Sequence, residues 1–429
     1  MANPEPIKFS RLRLEGWRQF ESVDIELHPA LTVITGANGA GKSTLLNIFS
    51  QHFGYQRPYL ATPLRDKSGG YSYLIGIFTR LRKFFESAPA NVLQVGEISY
   101  TNGTKSVVNV PQEGSIQYRL SVDSQQTVQG FHIPSHRVQP TYQQVANIPT
   151  QLMLPEHAYN QFNSEMSTIF QGGHTGYSPT YRIKEALLSM AAFGPGNKYM
   201  QQNEVVVKAF DGYVDVLRKV LPAEIGFLNL SIRSPDVVVV TRSGDFLIDA
   251  ASGGLMALVD LAWHIYMFSL RVPEFVVTID EPENHLHPSM QRSLMGNLIK
   301  TFPEVQFIVA THSPFIVSAL KEARVYVLKY EDRAEQLQAQ GVASPHTRYV
   351  SSVRLDTVNR AGTASQILRD VLGLPTTYPE WVSDGVSDIV SRYRGKEFND
   401  AMLASLRTEL QQMGYSDLFP DVVSTLVKP

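Results

Sequence analysis

The chain has 429 residues, a formal net charge of −2, 43% apolar and 18% charged residues, and no cysteine. That excludes a disordered chain, a disulfide scaffold, a zinc ribbon, an iron–sulfur protein and a thiol nucleophile, and it leaves ample material for a large buried core. The near-neutral balance excludes a generic basic coat for nucleic acid and leaves open only a local basic patch.

The start, Met1-Ala-Asn-Pro-Glu-Pro, lacks the charged-then-apolar plan of a signal peptide. Lys8–Leu14, Val23–Leu27 and Leu31–Thr35 read as strands, and 42–50 reads as a helix. From about 55 to 235 the texture changes, with Gly and Pro throughout. Helix-like segments at Tyr73–Phe85 and Tyr181–Ala192 flank strand-like pieces at Glu97–Tyr100, Ser106–Val110 and Ser115–Val122, with no heptad run. We expect this stretch to form an inserted α/β lobe. A hairpin is expected over 237–248, turning at Ser243-Gly244-Asp245. Then come an apolar helix (255–270), a buried strand (Phe275–Ile279), a helix (288–300) and strands at Gln306–Ala310 and Arg324–Leu328. The apolar helix is too short for a bilayer span and carries Asp260 and His264. Such strand–helix alternation predicts a parallel α/β sheet. Residues 331–429 read as mixed and then mostly helical, including Phe398–Met413.

Residues Gly36-Ala37-Asn38-Gly39-Ala40-Gly41-Lys42-Ser43, followed by Thr44, match the pattern GxxxxGK[ST]. Glycines let the backbone curl so that successive N–H groups point at phosphate oxygens, and the helix that follows adds its positive end. Lys42 is then placed for the β- and γ-phosphates and the Ser43 hydroxyl for Mg²⁺. An apolar strand before the loop and a helical pattern after it separate this motif from a chance glycine-rich turn.

The strand Phe275–Ile279 ends in Asp280-Glu281. Adjacent acids at the tip of a core strand are costly without a compensating cation. Asp280 suits the Mg²⁺ shell, and Glu281 suits a base that orients water for attack on a γ-phosphate. The next residues, Pro282-Glu283-Asn284-His285-Leu286-His287-Pro288, read as a loop between two subunits rather than a metal cluster. The strand Phe307–Ala310 runs into Thr311-His312-Ser313-Pro314, placing His312 to sense the γ-phosphate. Ser252-Gly253-Gly254 opens the apolar helix, where a serine cap and two glycines form a second anion-friendly helix start.

Taken in order, the phosphate loop, the Ser-Gly-Gly helix, Ile279-Asp280-Glu281-Pro282, Leu286-His287-Pro288 and Ala310-Thr311-His312-Ser313 resemble the ABC-type ATPases of the SMC, RecF and OLD branch over residues 8–330. The resemblance implies an α/β P-loop head with a mixed sheet, and a head-to-tail homodimer that sandwiches two ATPs with Mg²⁺. It assigns phosphate and metal contacts to Gly36, Asn38, Gly39, Ala40, Gly41, Lys42, Ser43 and Thr44, and metal support to Asp280. Glu281 becomes the catalytic glutamate and His312 the switch histidine. Ser252, with Gly253 and Gly254, contacts the γ-phosphate held by the other subunit. The lobe-linking glutamine is Gln139, with Gln143 and Gln144 competing. The signature, Ala250-Ala251-Ser252-Gly253-Gly254-Leu255, departs from the transporter form Leu-Ser-Gly-Gly-Gln. No coiled coil of the SMC kind is present, and Tyr326–Asp332 is followed by no Asp-x-Asp run, so no nuclease centre is expected. This layout is similar to the stand-alone antiphage ATPases of Septu and retron loci, which work with a separately encoded effector, often an HNH nuclease or other toxin. It implies a cytoplasmic enzyme with 331–429 docking a partner or bracing the dimer. The alternative is a repair or chromosome-maintenance ATPase that clamps DNA.

Overall fold

The computed structural model describes residues 6–65, 71–75, 92–111, 115–136, 141–148, 152–334, 347–356, 362–374, 380–394 and 399–427. The chain divides into two compact units, Met1–Ile367 and Leu368–Pro429.

The first unit is organised by one sheet of eleven strands. In chain order these are β1 (Phe9–Trp17), β2 (Phe20–Glu26), β3 (Leu31–Gly36), β4 (Val92–Tyr100), β5 (Lys105–Pro111), β6 (Ser121–Asp123) and β7 (Gly130–Ile133). A separate three-stranded antiparallel sheet follows, formed by β8 (Phe227–Arg233), β9 (Asp236–Thr241) and β10 (Gly244–Leu247). The large sheet is completed by β11 (Val276–Asp280), β12 (Gln306–Ala310), β13 (Arg324–Asp332) and β14 (Arg348–Arg354). Across it the order is β6-β5-β4-β1-β2-β14-β13-β3-β12-β11-β7. From β13 to β7 every pairing is parallel, whereas β6, β5, β4, β1 and β2 are joined antiparallel.

The two halves differ because their faces differ. Every residue of β3, β11 and β12 is buried, so these strands read as mostly apolar runs with no in–out alternation, as parallel strands covered on both faces do. In β1 and β2, buried and partly exposed residues mix along the strand. Gln306, a buried amide at the start of β12, accepts from the Phe9 N–H at 3.2 Å and donates to the carbonyls of Phe9 (2.9 Å) and His28 (3.1 Å). It ties the start of β1 to the parallel half without leaving a polar atom unpaired.

The longer helices among the described residues of this unit are α1 (Lys42–Ser50), α2 (Pro155–Phe170), α3 (Pro179–Phe193), α4 (Glu204–Val220), α5 (Gly253–Ser269) and α6 (Pro288–Thr301). The helix α5 is apolar around its circumference because α2, α3 and α4 all pack on it. Asn203 caps α4 through the Val206 N–H, and Arg218 and Lys219 sit in its last turn, where they favour the helix dipole.

On α5, His264 stacks on Phe131 at 4.0 Å, and its Nε2 lies 3.2 Å from Asn163 Oδ1, which also accepts the Tyr55 hydroxyl at 2.7 Å. Burial pushes the imidazole down to about 3. The unfolded chain therefore binds a proton near pH 6.5 that the native state refuses, and stability drops as pH falls from 6.5 toward 3. In His264→Leu, the loss of stability between pH 7.5 and 4.5 is expected to shrink by about 2 kcal/mol in urea unfolding. Asn163 keeps its Tyr55 partner in that variant. An unchanged pH slope would contradict a neutral buried histidine.

Several sequence expectations are modified. Residues 55–235 do not form one inserted lobe: β4, β5 and β6 extend the main sheet from β1, and β7 forms its other edge beside β11. Position 330 falls inside β13, which pairs with β14, so the first unit runs on to Ile367. Most of the helix expected over Tyr73–Phe85 lies outside the described residues, and its first residues belong to a short strand, Tyr71–Leu74. Ser115–Val122 splits into Gln117–Tyr118 and β6. The helices α2 and α4 were not anticipated.

The second unit contains α7 (Glu380–Tyr393), α8 (Asp400–Gln412) and α9 (Phe419–Val427). Val382, Ile389, Leu406, Leu410 and Val422 form its core. Asn399 caps α8 through the Met402 N–H, and Arg392 pairs with Glu409 at 2.6 Å.

Candidate nucleotide site

Parallel register brings three strand ends to one edge. Asp280 lies opposite Ala310, and Ala310 lies opposite Ile34. The loop after β3, the carboxylates ending β11 and the histidine after β12 therefore meet where such sheets place their ligands.

The loop 36–41 curls as its glycines allow. Gly36 has φ 141°, and a Cβ there would lie 2.5 Å from the Leu328 carbonyl oxygen. Gly41 has φ 99°, and a Cβ there would meet the Phe20 ring and come within 2.8 Å of the Gln19 amide nitrogen. Gln19, in the β1–β2 turn, donates to the Gly39 carbonyl at 3.2 Å. Ala40 is fully buried while Asn38 and Gly39 are exposed. Thr44 lies inside the first turn of α1, one residue after Ser43. The Lys42 ammonium donates to the carbonyls of Gly36 (3.1 Å) and Ala37 (3.2 Å). Burial lowers its pKa, opposed by the charges of Glu281, Asp280 and Glu283.

Asp280 is buried, and its Oδ1 has no hydrogen-bond partner. Burial pushes its carboxyl up to about 6, against a hydrogen bond with Ser43. A buried carboxylate short of a partner beside an exposed serine hydroxyl is a donor set that fits a hard divalent cation such as Mg²⁺.

Glu281 takes φ 48°, a left-handed conformation costing about 1–3 kcal/mol for a residue other than glycine. It is held there because its N–H donates to the Ala310 carbonyl at 2.8 Å. Its Oε2 accepts Asn284 Nδ2 at 3.0 Å, and its Oε1 lies 3.7 Å from His312 Nε2. The same Asn284 amide reaches the Ser135 carbonyl at 3.0 Å. Burial and the nearby Lys42 cation lower the His312 pKa, with Glu281 acting the other way.

Ser252 is the N-cap of α5 and accepts the Leu255 N–H at 3.4 Å. It is exposed, with partly buried Gly253 and buried Gly254 behind it. Gly254 abuts the loop after Asp280: a Cβ would lie 2.6 Å from the His285 carbonyl oxygen. Behind this helix start Lys184 on α3, wholly buried, donates to Asp249 Oδ2 at 2.7 Å and to the Gln143 carbonyl at 2.6 Å, with Asp236 at 3.8 Å.

Gln139 lies outside the described residues. The Gln143 amide is committed to a turn, accepting the Ser178 N–H at 2.9 Å and donating to the Gly176 carbonyl at 3.3 Å, and Gln144 is exposed. Among the described residues no group of three or more His, Asp and Glu could hold a metal ion, so Glu283, His285 and His287 form no cluster. Sequence reasoning missed what Glu283 does, the anchor made by Gln19, and the Lys184–Asp249 pair. No local pattern marks them, since each partner is far away in the chain.

Fold and site are those of a P-loop ATPase domain, with the phosphate loop and the strand-end carboxylates on one sheet edge. Residues 11–129 match a family model described as an AAA domain, and 240–318 match one described as an AAA domain, putative AbiEii toxin, type IV toxin–antitoxin system. The chain is 44% identical over 54 residues to the retron Ec83 probable ATPase of Escherichia coli, covering 13% of this chain and 10% of that protein. It is 37% identical over 57 residues to the retron Vc95 probable ATPase of Vibrio cholerae serotype O1 biovar El Tor, covering 13% and 11%. It is 24% identical over 169 residues to the Septu protein PtuA of Bacillus thuringiensis, covering 37% and 40%. The matched stretches thus span well under half of each curated relative. Among solved structures, the SMC head domain from Thermotoga maritima aligns over 81% of this chain and 99% of its own, at 14% identity and a TM-score of 0.40. No helix among the described residues is long and apolar enough to cross a membrane.

Proposed function

We propose that this chain binds ATP with Mg²⁺, pairs head to tail with a second copy, hydrolyses the nucleotide, and thereby controls a separately encoded effector in bacterial defence against phage. The observation that carries the reading is the exposed start of α5. The loop, Asp280, Glu281 and His312 share one sheet edge, while Ser252 is exposed and caps its own helix through the Leu255 N–H. An exposed serine-capped helix start, with a glycine behind it, suits a phosphate that another copy presents.

In this scheme Lys42 exchanges two carbonyl partners for phosphate oxygens, a stronger, charge-assisted contact. Magnesium, held through Ser43 and Asp280, would supply charge neutralisation at the β- and γ-phosphates. Glu281 orients and deprotonates water, His312 contacts the γ-phosphate, and Ser252 of the other copy donates to it. Separation after cleavage releases the partner protein, a nuclease or other toxin. The retron and Septu likenesses support the defence setting, and residues 331–429 are proposed to dock the partner or brace the pair.

The test is Lys42→Ala. Its affinity for ATP, measured by titration calorimetry, is expected to fall about 10- to 100-fold as one charged group bonding to phosphate is lost. Unchanged affinity would count against the loop. In the unaltered protein, ATP turnover stimulated by DNA and steeply reduced by salt would favour a DNA-clamping role instead.

A further inference from the structure

Where the β11–β12 ladder stops, a side chain takes over. The last rung is the Glu281 N–H on the Ala310 carbonyl. Beyond it, Glu283 Oε1 accepts the Thr311 hydroxyl (2.6 Å), the His312 N–H (2.8 Å) and the Ser313 N–H (3.1 Å). One carboxylate oxygen thus gathers the three consecutive residues that follow β12 and include the histidine. A second tie runs parallel to it. Gln291 on α6 accepts the Ser313 hydroxyl at 2.6 Å and donates to the Leu286 carbonyl at 2.9 Å. The segments 281–286 and 311–313 are therefore fastened to one another twice.

We infer that Glu283 is a positioning residue that holds the 311–313 backbone, and with it the His312 imidazole, in register with Glu281. The inference deepens the proposed function and rests on it for its catalytic consequence, though not for its geometry. His312 Nε2 stands 3.7 Å from Glu281 Oε1, and no pairing with β11 fixes that separation, because that ladder ends at Ala310; on the β3 side only Thr311 is still held, its N–H on the Ile34 carbonyl at 3.0 Å and its carbonyl accepting the Thr35 hydroxyl at 2.9 Å. The Glu283 carboxylate supplies what the ladder no longer does. Its three bonds stand in for pairing with β11 along 311–313, while β3 holds only Thr311 from the other side. Without it, the His312 N–H loses its acceptor, the Ser313 N–H keeps only the Thr311 hydroxyl oxygen at 2.9 Å, and the turn is released to find others.

The test uses the full chain labelled at histidine, with His312→Asn to identify the His312 resonance. In nucleotide-free protein, Glu283→Ala and Glu283→Asp are expected to move or split that resonance, the aspartate because its carboxyl is one methylene too short. Glu283→Gln, which keeps an acceptor oxygen in place, is expected to restore it. In the same proteins kcat for ATP is expected to fall about tenfold or more in the alanine and aspartate variants while the ATP dissociation constant stays within about threefold, since misplacement by an ångström is felt in chemistry before binding. An unmoved His312 resonance in Glu283→Asp overturns the inference, and so do kcat and affinity falling together. If the unaltered protein hydrolyses no ATP, the proposed function fails, whereas the histidine resonance still decides the positioning role.

Discussion

Glu281→Gln is expected to lower ATP turnover by about 10²- to 10⁴-fold while leaving nucleotide affinity nearly intact, because a general base contributes in that range. The amide keeps the shape of the carboxylate. Its oxygen can still accept Asn284 Nδ2, and the backbone contact to Ala310 is untouched. The left-handed conformation at 281 is the same for both residues, so the cost of holding it does not change. What is lost, in the proposed scheme, is the ability to take a proton from water. With hydrolysis blocked and binding intact, the variant should accumulate as a nucleotide-bound pair, visible by sedimentation with ATP and magnesium. Turnover within twofold of the unaltered protein would remove Glu281 from its assigned role.

Lys184→Met is expected to destabilise the first unit by about 3–5 kcal/mol in urea unfolding, the cost of breaking a buried ion pair from one side. Lys184 is wholly buried, and the side chain of Asp249 is 4% exposed. Removing the ammonium leaves that carboxylate with no cation and deprives the Gln143 carbonyl of its donor. The double variant Lys184→Met with Asp249→Leu should recover part of the loss, because no charge is then stranded. A single variant as stable as the unaltered protein would mean that water or rearrangement satisfies Asp249.

The meeting of the candidate site's segments at one sheet edge was largely legible in the sequence because each of its parts is local. The phosphate loop, the strand ending in Asp280 and the strand running into His312 are contiguous runs whose burial follows from composition, and they lie on neighbouring strands. The sheet extension was not legible. The strands β4 and β5 lie in a Gly- and Pro-punctuated stretch that reads as a separate lobe, yet they pair with β1, far back in the chain. The helix α4 shows why local reading should have done better: Val206, Ala209, Tyr213, Val214, Leu217 and Val220 are buried at helical spacing. Glu283 is the opposite case. Its neighbours in sequence say only that it is acidic, and its role arises from three donors nearly thirty residues away.

The close approach of Gly254 to the His285 carbonyl carries a genetic consequence. In the head-to-tail pair proposed above, one copy's α5 would complete the pocket of its neighbour, while the His285 loop follows that copy's own Asp280. A lesion at either position would injure two pockets at once, one in each molecule. Such alleles would behave as dominant, poisoning assemblies built with healthy copies.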